Sequence, residues 1–421
     1  MEEMQFVRRV REAGGRVAVV GGWVRDTLRG VKPKDKDYVV SGLDENDFCG
    51  LFPGIQKVGR SFPVFLLELD GVSSEIALAR TEQKSGTGYL GFEIRADKTV
   101  ALEDDLSRRD TTINAMALEL FSDGTPSRRI DLFGGEEDIR SCRIRAVSER
   151  FLEDPVRALR AARQAAVFGF TVEPRTIDFM SACREELMKE PQPRIFGELS
   201  RALEASRPSV FFLTLERARL LDAIFPELFA LIGKTQPVAF HPEGDAFAHT
   251  MATVDAVAER TENIVVRFAA LVHDLGKGTT PQSMLPHHYG HERRSLDVLE
   301  AWNRRMQLPK VWLQVAEFVI AEHMRASRLK KPGKIADFLI RLSKLPVPAK
   351  EVLHIFFVDH GDLPYYLEQH QVLIDKLLSV SGNNAPDILH GEEIGAWIRD
   401  QRTRCIRDER KKWLIRKITD I

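Results

Sequence analysis

Val17-Ala18-Val19-Val20-Gly21-Gly22-Trp23-Val24-Arg25-Asp26, followed by Lys34-Asp35-Lys36-Asp37-Tyr38-Val39-Val40, is the stretch from which the rest of the chain is read. The apolar run Val17 to Val20 predicts a buried strand, and Gly21-Gly22 a turn that opens a short helix. Glycine lets backbone come close to a phosphate, and a helix start offers free N–H groups to it. The chain then returns as a second predicted strand carrying Asp35 and Asp37. Side chains alternate along a strand, so these two are expected on one face, roughly 7 Å apart. Two carboxylates so placed suit a pair of Mg²⁺ ions about 4 Å apart and in-line phosphoryl transfer. Taken singly, Gly-Gly is also a common turn and Asp-x-Asp a common solvated strand end.

Bulk properties narrow the field without deciding it. A chain of 421 residues predicts two to four domains, and 43% apolar residues supply an ordinary core. With 61 Lys and Arg against 62 Asp and Glu, global charge announces no polyanion partner, so any RNA contact is expected from local patches. The Met-Glu-Glu start is acidic and no apolar run reaches membrane-spanning length, so neither export nor insertion is expected. Cys49, Cys142, Cys183 and Cys405 lack metal-binding spacing and read as reduced thiols of a cytoplasmic protein.

The order Gly-Gly-x-Val-Arg-Asp-x-Leu-x-Gly then Asp-x-Asp resembles the nucleotidyltransferase superfamily of DNA polymerase beta, in its bacterial CCA-adding and poly(A) polymerase branch. Further strings extend the resemblance. Arg80-Thr-Glu-Gln-Lys-Ser-Gly-Thr-Gly-Tyr-Leu-Gly-Phe92 is a hairpin loop by composition. It is similar to the flexible loop that helps CCA-adding enzymes change from C to A addition. Arg108-Arg109-Asp110-Thr-Thr-Ile-Asn-Ala115 matches a family string whose second arginine, here Arg109, contacts the incoming nucleotide. A charged helix end pairing Arg109 with Asp105 or Asp110 is the plainer alternative. Arg25 likewise reads as a phosphate or sugar contact, or as a charge paired with Asp26. Two further apolar strands are expected around residues 63–69 and 75–79. Glu75 is either a third active-site carboxylate or a solvent-facing edge residue, and stays outside the expected metal site of Asp35 and Asp37. Residues 111–118 read as a strand, and Asp131-Leu-Phe-Gly-Gly135 closes the head.

Asp154-Pro155 predicts a capped helix start, and Gly169 its end. Asp154, Arg157 and Arg160 are three apart and share a helix face. C and A each present an amino donor beside a ring-nitrogen acceptor. A carboxylate accepts from the first while a guanidinium donates to the second. U and G present the opposite polarity and leave both groups unpaired. The string Glu153-Asp154-x-x-Arg157 matches the nucleotide-selecting motif of class II CCA-adding enzymes. Residues 170–235 read as helical, with connections at 190–193 and 207–208. Arg201 and Arg217 read as solvated, or as contacts to tRNA backbone.

A second chemistry is expected downstream. His273-Asp274-Leu-Gly-Lys277 follows an apolar helix, with His249 upstream. His287, His288, His291, His323, Asp359 and Asp362 follow. Imidazole with carboxylate suits a divalent transition metal, which lowers the pKa of bound water for phosphoester hydrolysis. The pattern resembles the HD phosphohydrolase domain carried by CCA-adding enzymes of gammaproteobacterial type. That resemblance implies phosphatase and cyclic phosphodiesterase activities, with a metal held by His249, His273, Asp274 and Asp359, and Ni²⁺ as one possible ion. The final ligand string departs from the family's, and Asp362 remains the alternative to Asp359. The basic tail from Ser379 reads as an RNA guide or as a plain surface helix.

The expected architecture is an α/β polymerase-beta-like head (1–145), an all-α neck and body (146–235), an all-α HD domain (236–378) and a basic tail (379–421). The expected activity is template-independent addition of C-C-A to tRNA 3′ ends from CTP and ATP. Asp35 and Asp37 hold Mg²⁺; Gly22, Arg25 and Arg109 position the nucleotide; Asp154, Arg157 and Arg160 select the base. Neither a membrane nor an obligatory protein partner is expected. Poly(A) polymerase, or a phosphohydrolase whose head only binds RNA, are the competing readings.

Overall fold

The computed structural model describes residues 1–58, 64–84, 92–95, 97–123, 125, 127–239 and 244–419. It divides into two compact units, one comprising residues 1–202 and 210–224, the other 203–209 and 225–421.

The first unit opens with α1 (Glu3–Glu12), β1 (Arg16–Val20), α2 (Gly22–Leu28), β2 (Asp37–Ser41) and α3 (Glu45–Leu51). Then follow β3 (Gln56–Val58), β4 (Val64–Leu69), β5 (Val72–Leu78), the hairpin strands β6 (Thr81–Lys84) and β7 (Phe92–Arg95), and α4 (Leu102–Ser107). After these come β8 (Met116–Leu120), β9 (Arg128–Asp131), α5 (Gly135–Arg140), β10 (Arg143–Ile144), α6 (Val156–Phe168) and β11 (Thr171–Val172). The main sheet runs β3-β4-β5-β2-β1-β8-β9. It is antiparallel except that β2 and β5 run parallel, with Tyr38 opposite Ile76.

The alternation of the strands sorts their side chains. Phe6 of α1 packs edge-on against Tyr38, and Phe48 of α3 against Phe65, on one face. Ala18, Val20, Val39 and Ala117 meet Leu102 and Leu106 of α4 on the other. Asp37 and Glu75 share the period of Val39 and Ala77. The sheet register therefore brings them side by side, at the start of β2 and the middle of β5.

Three local expectations are corrected. Asp35 does not lie on a strand: β2 begins at Asp37, which pairs with Val20, the last residue of β1. Gly21 has φ +66° and turns the chain into α2, so no ladder partner exists for Asp35. Residues 112–114 form a 3₁₀ turn rather than a strand, held where Thr112 Oγ1 donates to Asp138 and its N–H to the Arg145 carbonyl. In the stretch expected to be all helical, Thr171–Val172 pairs parallel with Arg143–Ile144. Of the expected switch loop, residues 80–92, the stretch 85–91 lies outside the described residues; on either side of it β6 and β7 pair antiparallel.

Glu119 of β8 is the electrostatic tie of this unit. It is 2% exposed and accepts from Arg11 of α1 (2.9 Å), Arg16 of β1 (2.9 Å) and Arg128 of β9 (2.7 Å). Burial opposes its charge, but the hydrogen bonds from Arg16 and Arg11 bring its pKa from 4.5 down to about 2. A depressed carboxylate stabilises fully above its unfolded pKa, and the contribution fades as pH falls through the folded one. Glu119→Gln is therefore expected to cost on the order of 2 kcal/mol at neutral pH, a difference that vanishes on acidification toward the folded value. Urea unfolding across that range checks it: a penalty independent of pH would contradict the ion-pair account.

The second unit is helical. Its main helices are Ala246–Ala258, Ile264–Val272, His291–Met306, Lys310–Ala326, Pro332–Leu342, Ala349–His360, His370–Ser379 and Glu392–Thr419. Phe268, Trp302, Trp312, Phe338 and Phe356 are buried among them. The basic tail is thus largely one long helix. Among the described residues no helix is long and apolar enough to cross a membrane. Among the described residues no disulfide joins any of the four cysteines.

Candidate active site and candidate metal centre

In the first unit, a cavity of about 550 Å³ is lined by Gly22, Arg25, Asp37, Glu75 and Arg109 together with Asp154, Arg157 and Arg160. Seven of the eight residues expected in the head site line it. Asp35 stands just ahead of β2, exposed, and acts on Asp37 through charge. Partial burial, the Glu75 carboxylate and Asp35 all push the Asp37 pKa up, against the pull of Arg109. Asp37 and Glu75 side by side, with Asp35 near enough to act on Asp37, form a donor set that fits a divalent cation. Glu75, kept out of the sequence-derived metal site, belongs to this group because of the β2–β5 register.

Both candidate phosphate-contacting arginines are already engaged. Arg25 Nε and Nη2 donate to Asp26 (2.9 and 2.7 Å), Nη1 donates to Asn114 (2.7 Å), and the guanidinium lies 4.4 Å from the Phe168 ring centre. The pairing with Asp26 and the position in the cavity wall thus hold together. Arg109 pairs with buried Asp105 (3.1 Å) and not with Asp110. Its Nε has no hydrogen-bond partner, and a methyl group built on Gly21 would lie 3.1 Å from its Nη1. The glycine is what lets this guanidinium reach the turn.

Helix α6 begins at Val156, and Asp154 caps it by accepting from the Val156 N–H (3.1 Å). Arg157 is buried and donates to the Arg150 carbonyl (2.5 Å). Arg160 Nε donates to Asp110 (2.9 Å), which also accepts from Asn114, Gln164 and the Thr111 N–H. Burial opposes the Asp110 charge, but Arg160 and these donors hold its carboxyl well below the usual range. Asn114 therefore links Arg25 to Asp110, and Asp110 links the 3₁₀ turn to α6. Sequence reading missed this hub and also Arg194, which holds both oxygens of Asp154 at 3.0 and 2.9 Å. Neither partner is signalled by spacing, because 50 residues separate Asp110 from Arg160 and 40 separate Asp154 from Arg194.

In the second unit, six side chains from five helices converge. Asp274 is 1% exposed. Its Oδ2 lies 3.2 Å from His273 Nε2 and 3.7 Å from His249 Nε2; its Oδ1 lies 3.1 Å from His291 Nε2 and 3.4 Å from His323 Nε2. Asp359 Oδ1 is 3.5 Å from His249 Nε2, and Lys277 Nζ donates to Asp274 Oδ2 at 2.6 Å. Two triads have metal-ligating geometry, His249-His273-Asp274 and Asp274-His291-His323. The four residues expected as ligands lie together, and His291 and His323 lie with them. Asp362 follows Gly361 beyond the helix end and is exposed, whereas the Asp359 carboxylate is 7% exposed. His288 instead contacts Thr280 and the Thr235 carbonyl.

The tautomers follow from the backbone. The Nδ1 atoms of His273, His291 and His323 lie 2.7, 2.8 and 3.0 Å from the Ala270, His288 and Ile320 carbonyls, so each Nδ1–H donates there. Their Nε2 lone pairs then face inward. Those of His291 and His323 are 3.2 Å apart, and His273 Nε2, Asp274 Oδ1 and Asp359 Oδ2 are buried without hydrogen-bond partners. Facing lone pairs and orphaned acceptors fit a bound cation. Lys277 Nζ, 2.6 Å from Asp274 Oδ2, offsets the charge of this buried carboxylate. The loop after Asp274 is locked in place: a methyl group at Gly276 would lie 2.1 Å from the His291 carbonyl oxygen, and the Gly276 N–H donates to Ser295 Oγ (2.7 Å). The cluster opens on a cavity of about 700 Å³ lined also by His287, Tyr289 and Arg328.

Three family models match successive parts of the chain. Residues 17–145 match the poly A polymerase head domain, residues 169–232 the probable RNA- and SrmB-binding site of polymerase A, and residues 246–358 the HD domain. The multifunctional CCA protein of Aromatoleum aromaticum is 44% identical over 340 residues, covering 80% of this chain and 81% of that protein. The multifunctional CCA protein of Acinetobacter baumannii (strain ATCC 17978) is 38% identical over 395 residues, covering 90% and 94%. The Thermotoga maritima CCA-adding enzyme complexed with tRNA shares the fold, with a TM-score of 0.61 at 22% identity over 96% of this chain and 90% of that one. The chain therefore belongs to the multifunctional CCA proteins, as a CCA-adding nucleotidyltransferase that carries an HD domain.

Proposed function

We propose that the first unit adds C, C and A in turn to the 3′ end of tRNA, using CTP and ATP. The single observation that carries this reading is one cavity walled by the Asp37–Glu75 carboxylates and by the Asp154, Arg157 and Arg160 face of α6. Transfer chemistry and base selection thus share one space. Asp35 and Asp37 are assigned to Mg²⁺, joined by Glu75; when bound, this ion neutralises phosphate charge and activates the attacking 3′-hydroxyl. The protein's own groups do the rest. Gly22, Arg25 and Arg109 position the triphosphate. The Asp154 carboxylate accepts from the base's amino group, and Arg157 with Arg160 supplies guanidinium donors for its ring nitrogen. Work is divided among residues 1–145 for transfer, 146–235 for selection and RNA, 236–378 for hydrolysis and 379–421 for tRNA phosphates, in the cytoplasm.

The second unit is assigned a divalent transition metal, with Ni²⁺ as the chosen ion, bound by His249, His273, Asp274 and Asp359 with His291 and His323. Such an ion supplies a metal-activated water for phosphatase and cyclic phosphodiesterase chemistry. The three backbone-anchored imidazoles keep Nε2 unprotonated, and Lys277 holds the Asp274 carboxylate.

Three tRNA transcripts test the transferase reading: one ending before the triplet, one after the first C and one after both. Each is given labelled CTP and ATP, singly and together, with Mg²⁺. Growth that stops after one complete triplet is expected. A long A ladder would make the protein a poly(A) polymerase, and C addition alone would show the C-to-A switch missing.

A further inference from the structure

We propose that Arg194 is a specificity-determining positioning residue, which fixes the Asp154 carboxylate in the one orientation that reads an amino-bearing base, and that Glu190 fixes Arg194 in turn. The inference rests on the reading of Asp154 as the acceptor for the base's amino group.

Three hydrogen bonds already act on Asp154. Its Oδ1 accepts from the Val156 N–H at 3.1 Å, and Arg194 Nη2 spans Oδ1 and Oδ2 at 3.0 and 2.9 Å. A carboxylate has roughly four acceptor directions, so about one is left for a ligand. A side chain tied at both oxygens cannot swing between rotamers, and what it offers the cavity is a single, fixed acceptor. The Asp154 side chain is about one-quarter exposed, at the wall of the cavity that Arg194 also lines.

Arg194 is itself constrained from behind. It lies in the first turn of the helix Gln192–Ala202, and its Nη1 donates to Glu190 Oε2 at 2.5 Å. Glu190 is 3% exposed and its other oxygen has no hydrogen-bond partner. A buried carboxylate with an unused acceptor is costly unless a cation neutralises it, and Arg194 is the cation placed there. The same guanidinium thus faces a buried carboxylate on one nitrogen and a cavity-wall carboxylate on the other. A mere surface tie between the start of α6 and the helix Gln192–Ala202 would not require a buried anchor behind it.

The consequence for selection is direct. A hydrogen-bonding site rejects the wrong group because a fixed partner is left unpaired. If Asp154 were free to turn aside, the carbonyl of U would no longer be forced against a carboxylate. Arg194 therefore acts on discrimination more than on bond formation.

The test measures kcat/KM for CTP and for UTP on tRNA lacking the triplet, using the full-length protein with Mg²⁺. Arg194→Gln is expected to lower the CTP-to-UTP ratio by about tenfold or more and to raise KM for CTP more than it lowers kcat. Arg194→Lys, which keeps the charge, is expected to recover part of the ratio. Asp154→Ala is the control for the underlying reading. If it leaves the ratio unchanged, the base-reading role of Asp154 is wrong. If it collapses the ratio while folded Arg194→Gln keeps the wild-type value, the positioning role alone is overturned. Should Arg194→Gln fail to fold, Glu190→Gln carries the decision: a several-fold fall in the ratio supports the proposal, and a wild-type ratio overturns it.

Discussion

Asp37→Asn is expected to lower incorporation of both CTP and ATP by on the order of 10³-fold, with metal-dependent hydrolysis in the other unit unchanged. The substitution keeps the shape of the side chain and removes one charge from a group of three carboxylates. Asp37 lines the cavity beside Glu75, under the influence of Asp35. Folding is expected to survive. A carboxylate whose pKa is raised in the folded state opposes folding once pH exceeds its unfolded value, so removing that charge leaves neutral-pH stability equal or slightly higher. Urea unfolding and single-nucleotide incorporation, run on the same preparation, separate the two effects. Incorporation within tenfold of wild type would remove Asp37 from the chemistry.

The second large effect is expected at Asp274. Both of its oxygens face imidazoles, two on each side, and both metal-ligating triads include it. Asp274→Ala is expected to strip the bound metal and reduce phosphoester hydrolysis by on the order of 10³-fold, while CCA addition continues. Metal per chain after dialysis, read by atomic spectroscopy, checks the first part without reference to activity. Wild-type metal content in the variant would mean that the cluster is not the binding site. Asp359→Ala and Asp362→Ala, measured alongside, settle which acid completes the set: only the first is expected to lose metal.

Much of this was visible in the sequence because it is local. The Gly-Gly turn, the Asp-x-Asp pair, the α6 face and the His273-Asp274 step are each set by neighbours within a few residues. What escaped is set by pairing at a distance. Glu75 could not be told from an edge residue, because the parallel register of β2 and β5 decides it. Asp35 was placed on a strand because nothing in its own neighbourhood shows that β1 has already ended. Arg194 and Asp110 carry no motif signal of their own, since their roles exist only against Asp154 and Arg160. His291 and His323 were noted but left out of the metal set, because one sits at the start of its helix and the other near the end of the next. Only helix packing shows their Nε2 atoms to be 3.2 Å apart.

The close approach at Gly276 has a mechanical consequence. Backbone there touches backbone of the first turn of the helix His291–Met306 without an intervening side chain. Such contacts have little compliance, since there are no rotamers to absorb a displacement. The segments 273–278 and 291–295 thus form one stiff joint, and their amides should open to solvent exchange together rather than in sequence. The cluster's imidazoles inherit that stiffness. An ion held at Asp274 would meet that stiffness from both segments at once.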